Sequence, residues 1–219
     1  MSASQEVTLH KRVLISNRGE IAIRIAKAAA NLGLESVSIY APVDSMGLHT
    51  RSTTESHEIG APGEAVSAYL DIEAVIKVAK DAGCDCVHPG YGFLSENARF
   101  AERCAEEGIK FIGPHPSALS LFGDKVRART LAQSLDIPVV PGSKDPLNSA
   151  EEATSLANEL GYPVMLKASA GGGGRGMRAV DKAEDMAEAF ERCRSEAESA
   201  FGDGSVFVEK LVMRPRHIE

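Results

Sequence analysis

Over its first 113 residues the chain alternates short apolar runs with amphipathic stretches of helical period, and few folds accept that alternation. Val13 to Ser16 reads as a buried strand. A helix from about Glu20 follows, with Ile21, Ile25, Ala28, Ala29 and Leu32 on one face and Gly33 as its stop. Ser36 to Ala41 is a second strand, Asp85 to His88 a third and Lys110 to Gly113 a fourth. Between the second and third, Asp71 caps a helix carrying Ile72, Val75, Ile76 and Ala79 that Gly83 ends. Ser95 caps another, with Phe100, Ala101, Cys104 and Ala105 inward and Gly108 at its end. This pattern predicts an α/β fold with a parallel sheet covered on both faces, whose ligands bind outside the carboxyl ends of the strands.

From Pro114 the pattern changes. Two short helices are expected from about Ser117 to Leu135, the second capped by Asp124, and Ile137 to Gly142 looks like a connector. Ser149 to Glu152 forms a capping box for a helix ending at Gly161. Next comes an apolar strand carrying one lysine, Lys167, then four consecutive glycines, Gly171 to Gly174, and a second apolar run from Met177 to Val180. That is a hairpin with a backbone-exposed tip. A helix from about Lys182 to Ala200 places Met186, Phe190, Cys193 and Ala197 on one stripe, and Ser205 to Val212 is the last strand. Two strands, a helix and a returning strand make a small α+β lid.

Glycine N–H groups can approach a phosphate closely, and a lysine at a strand end can meet its charge. A glycine run is equally what a mobile surface hairpin carries. Lys125 and Lys167 taken singly read as snorkelling surface lysines, whereas Glu209 and Lys210 lie inside an apolar strand, where charges need a reason. The segment His88 to Asn97 follows the third strand, where a functional loop belongs, although proline and glycine there also suit a tight turn. Two nucleotide motifs fail. Asn17-Arg18-Gly19-Glu20 has one glycine where a dinucleotide fingerprint needs three, and no glycine loop is followed by Gly-Lys-Ser/Thr.

The formal charge of −7, with basic residues interspersed among acids, argues against a nucleic-acid partner. No run approaches a membrane span, and the polar start lacks the apolar core of a signal peptide, so the expected location is cytoplasmic, away from membranes. Cys84, Cys86, Cys104 and Cys193 follow no disulfide or zinc pattern and read as reduced core thiols.

Together these segments resemble the N-terminal half of a biotin carboxylase, within the ATP-grasp superfamily. The resemblance rests on residues 15–24, 88–97, 111–114, 123–125, 139–142, 161–164, 167–177, 209–210 and 215–219, in family order and spacing. Ala170, where glycine is common, and Leu211, where tyrosine is more usual, depart from it. The resemblance implies a biotin carboxylase N-terminal (pre-ATP-grasp) domain over residues 1–113, a helical connector over 114–138 and an ATP-grasp lid over 139–212. Residues 213–219 would begin the large ATP-grasp part, and the chain is expected to be a fragment or one portion of a longer carboxylase. It implies use of ATP to activate bicarbonate as carboxyphosphate, with transfer of the carboxyl group to biotin on a carrier protein. A carboxyltransferase and a homodimer are implied partners. Lys125 and Lys167 would hold the phosphates, and Gly173 and Gly174 would cover them. Glu209, Lys210, Leu211 and Val212 would line the adenine and ribose pocket, with main-chain groups of Lys210 and Val212 facing the base, and His217 would touch the nucleotide. The magnesium carboxylates and the catalytic residues are expected beyond residue 219, with no metal ligand inside the chain. Two alternatives stand beside this one: a non-catalytic nucleotide-binding or interaction module keeping the fold, and another ATP-grasp ligase.

Overall fold

The computed structural model of the chain describes residues 10–169, 176–216 and 218. Its residues fall into two compact units, one running through Asp124 and the other starting at Lys125.

The first unit is built on a five-stranded parallel sheet in the order β3-β2-β1-β4-β5. Its strands are β1 (Arg12–Ile15), β2 (Glu35–Tyr40), β3 (Glu55–Glu58), β4 (Cys86–His88) and β5 (Lys110–Phe111). Side chains alternate across β1. Val13 and Ile15 pack with Ala22, Ile25, Ala26 and Ala29 of α1 (Gly19–Asn31). Leu14 packs on the opposite side with Val75, Ile76 and Ala79 of α2 (Ile72–Asp81) and with Phe100 and Cys104 of α3 (Ala98–Glu106). Both faces are therefore covered, as apolar strands of a parallel sheet require.

Several details differ from the sequence reading. The buried stripe of α1 is Ala22, Ile25, Ala26 and Ala29; Ala28 is exposed and Leu32 is 76% exposed, so the helix is turned by about one residue from the expected face. Small alanines let α1 lie close to the sheet, which a search for large apolar residues overlooks. Asn97, rather than Ser95, caps α3, accepting a hydrogen bond from the Phe100 N–H at 2.9 Å, and Ala105 is exposed. Strand β3 was not expected. Its sequence, Glu-Ser-His-Glu, carries no apolar alternation because it is an edge strand, where charged residues discourage further pairing. Arg12 ties this edge together by pairing with both Glu35 and Glu55.

The second unit has a three-stranded antiparallel sheet in the order β7-β6-β8, from β6 (Val164–Ala168), β7 (Met177–Val180) and β8 (Val206–Lys210). Inward residues Val164, Leu166, Val180, Val206 and Val208 pack on α6 (Ala150–Leu160) and α7 (Met186–Phe201). The expected stripe Met186, Phe190, Cys193 and Ala197 is buried throughout. Ser149 caps α6 through the Glu152 N–H at 3.3 Å, while the Glu152 carboxylate accepts from the Asn148 N–H at 2.9 Å. The unit also contains α5 (Lys125–Ser134), which follows α4 (Pro116–Phe122) of the first unit. Strand β8 ends at Lys210, so Leu211 and Val212 lie just past it. Gly142, the last residue of the expected connector, and Leu147 beyond it bridge Glu209 and Val206, extending the sheet alongside β8.

Candidate functional site

Strand register puts the expected lysine and glutamate on one face. Lys167 stands opposite Met177 and Phe207, and Met165 opposite Ala179 and Glu209; directly opposed residues share a face. This is the face away from α6 and α7. Met177 is 47% exposed there, and Met165, Lys167, Phe207 and Glu209 are half-buried. The sheet thus offers an apolar floor with one cation and one carboxylate on it.

The two charges meet. Lys167 Nζ lies 2.5 Å from Glu209 Oε2, and Arg129 Nη1 approaches Glu209 Oε1 at 3.8 Å. Lys125 opens α5 and stands one helical turn before Arg129, on the same helix face. Lys210 faces the other way: its Nζ donates to the carbonyls of Gly161 at 2.7 Å and Tyr162 at 3.3 Å, closing the carboxyl end of α6. Adjacent charges in one strand therefore have separate reasons, one on each face. The Lys210 N–H donates to the Pro141 carbonyl at 2.8 Å. Leu211 N–H donates to Pro163, and Val212 is 50% exposed. Gly173, Gly174 and His217 lie outside the described residues. Sequence reasoning missed Arg129, which stands in a polar helix with no pattern to single it out.

In the first unit the carboxyl ends of β1 and β4 meet where the chain order of the sheet reverses. Asn17 donates to the carbonyls of Pro89 at 2.7 Å and Tyr91 at 2.8 Å, anchoring the loop after His88. Gly90 has φ +67°, and a Cβ there would stand 2.8 Å from the Asn17 amide nitrogen, so glycine is required. Arg18 pairs with Asp44 at 2.7 Å and lies over the rings of Tyr69 and Phe93. Burial alone would raise the Asp44 carboxyl, but hydrogen bonds from Arg18 and Tyr69 outweigh it and hold the group below the usual carboxylate range. Burial also pushes the Cys86 and Cys104 thiols up to about 12, so both are inert.

Among the described residues, His10, Asp85 and Cys86 form one cluster of metal-ligand types. Asp85 already accepts from the main-chain N–H groups of Lys11 at 2.7 Å and Arg12 at 3.4 Å, fastening the start of β1. No helix among the described residues is long and apolar enough to cross a membrane.

Comparison with known proteins adds to this geometry. The family model described as "Biotin carboxylase, N-terminal domain" matches residues 9–119, and that described as "Carbamoyl-phosphate synthase L chain, ATP binding domain" matches residues 124–219. The chain is 52% identical over 209 residues to a pyruvate carboxylase of Staphylococcus aureus, covering 95% of this chain and 18% of that protein. It is 51% identical over 211 residues to a biotin carboxylase of Halalkalibacterium halodurans, covering 96% of this chain and 46% of that one. A solved structure, the biotin carboxylase domain dimer of Hydrogenobacter thermophilus 2-oxoglutarate carboxylase with MgADP, ADP and bicarbonate, superimposes with a TM-score of 0.85 at 43% identity. That likeness covers 94% of this chain and 45% of the other. The chain therefore spans less than half the length of each of these relatives.

Proposed function

We propose, for a chain that belongs to the biotin carboxylase N-terminal domain family, that it carries part of the ATP site of a biotin-dependent carboxylase. In that reaction a bicarbonate oxygen attacks the γ-phosphorus and ADP leaves; the C–O bond of the resulting carboxyphosphate then breaks, phosphate departs with the N1 proton, and the carboxyl group joins N1 of biotin on a carrier protein. A carboxyltransferase then delivers it to the final acceptor.

The observation that carries the reading is Lys167, standing on a half-exposed apolar sheet face four residues before the glycine run begins. A flat base fits against Met165, Met177 and Phe207, and the ammonium meets phosphate oxygens. Lys125 adds a second cation from α5. Gly173 and Gly174 would close over the phosphates and exclude water from a labile intermediate. The Lys210 carbonyl and Val212 would face the base, Glu209 and Leu211 would flank the ribose side, and His217 would complete the nucleotide contacts. Magnesium, which neutralises phosphate charge when bound, is assigned to residues outside this chain. The division into residues 1–113, 114–138, 139–212 and 213–219 belongs to the same reading. So do a homodimer and a cytoplasmic location, the latter in keeping with four buried free thiols.

The test is ATP calorimetry on the full-length polypeptide. Lys167→Ala is expected to weaken binding by about 1.5–3 kcal/mol, the range of a charge-assisted contact. Unchanged affinity in a folded variant removes the phosphate role. Tight ATP binding without bicarbonate- and biotin-dependent ATP cleavage would instead favour the non-catalytic nucleotide-binding module.

A further inference from the structure

Arg129 stands apart from every residue named so far. Helix α5 buries none of its side chains fully, so apolar packing does not fix it. Arg129 supplies an anchor. Its guanidinium donates to the carbonyls of Val140 at 2.8 Å, Gly142 at 3.3 Å and Ser143 at 3.3 Å, and it faces Glu209 at 3.8 Å. The same stretch of chain is pressed against β8. Ser143 N–H donates to Val208 at 2.8 Å, and Val208 N–H donates to the Ser143 hydroxyl at 3.2 Å. A Cβ on Gly142 would fall 2.4 Å from the Val208 carbonyl and 2.9 Å from Glu209 Cγ. Gly142 therefore leaves no room for a side chain beside β8, and Glu209 is held by charge at one carboxylate oxygen. Its other oxygen carries Lys167 at 2.5 Å.

We infer that Arg129 is a positioning residue: acting through Glu209, it fixes where the Lys167 ammonium stands. A guanidinium spanning main-chain acceptors and a carboxylate is a rigid fork with little freedom left to lose. Glu209 held in this way turns only one oxygen toward Lys167, and Lys167 keeps one location instead of sweeping the open sheet face. The inference deepens the proposed ATP site and rests on it only for the consequence in nucleotide binding. The positional claim is about the chain itself.

The experiment is competitive labelling of lysines with acetic anhydride in the full-length polypeptide, read by mass spectrometry residue by residue. Lys210, tied to the carbonyls of Gly161 and Tyr162, is the internal control. An amine engaged by a carboxylate is shielded from the reagent. Arg129→Met is expected to raise Lys167 labelling at least threefold and leave Lys210 unchanged, with Arg129→Lys intermediate. In a Glu209→Gln background, Arg129→Met should add less than 1.5-fold. Unchanged Lys167 labelling, or labelling of Lys167 and Lys210 rising together, overturns the inference and leaves Arg129 as a strut for the connector. Should Arg129→Met fail to fold, Arg129→Lys decides by the same readout.

A second arm compares ATP with adenosine. The affinity ratio between them should fall severalfold in Arg129→Met, the loss for ATP exceeding any loss for adenosine. Equal losses for both ligands again mean a strut. Wild-type protein that binds neither ligand would sink the nucleotide reading, and the labelling result would still decide the role of Arg129.

Discussion

The two sheets of this molecule solve the same problem in opposite ways. In the first unit helices lie on both faces of the sheet, and the polar groups with chemistry to offer are pushed to the strand ends, where Asn17, Arg18 and the loop after His88 gather. In the second, α6 and α7 cover one face only, and the other presents Lys167 and Glu209 in the middle of a half-exposed apolar surface. A parallel sheet has no free face to lend, so its site must be built from loops. An antiparallel sheet can keep one face for packing and one for a ligand, and strand alternation keeps the two apart.

The largest expected effect probes that division. Phe190→Ala, on the covered side, should destabilise the second unit by about 3–5 kcal/mol. Met165→Ala, on the open side, should cost about 1 kcal/mol or less. Hydrogen exchange of β6 and β8 measures both, and equal losses would mean that the open face is as much core as the covered one.

The strand-end cluster of the first unit gives the next effect. Asp44→Asn removes the carboxylate that Arg18 and Tyr69 share, a loss of about 1–3 kcal/mol for a partly buried, hydrogen-bonded charge pair. Its pH dependence has a definite sign. The folded carboxyl lies below its unfolded value, so the contribution is complete above the ordinary aspartate range of about 4 and is lost as pH falls through the lower folded value. Denaturant titrations of wild type and Asp44→Asn should diverge above that range and converge in acid. Parallel curves would show that Asp44 is not the group responsible.

A smaller effect concerns local design. Asn97→Ala should destabilise α3 by about 1 kcal/mol, the usual value of a cap, whereas Ser95→Ala should change stability by no more than about 0.5 kcal/mol. Thermal melts that rank them the other way would restore Ser95 as the helix start.

The sequence by itself determined the kinds of element and most of the core. Apolar runs of strand length, the stripe through Met186, Phe190, Cys193 and Ala197, and the caps Asp71 and Ser149 are local signals, each set by periodicity or by a side chain reaching its own backbone. It also marked Lys125, Lys167, Glu209 and Lys210 as residues to watch, through the resemblance they complete. Edge strand β3 was illegible because an edge needs charge more than apolar alternation, and Asn97 was hidden two residues beyond an equally good cap. Only the tertiary structure decided that Glu209 turns to Lys167 while its neighbour Lys210 turns to the end of α6, and that Arg129, 80 positions away from Glu209, shares its carboxylate. The physical reason is range. Hydrophobic period and capping act over a few residues, whereas the partner of a charge on an open sheet face is chosen by strand register and by which distant segment is pressed against it.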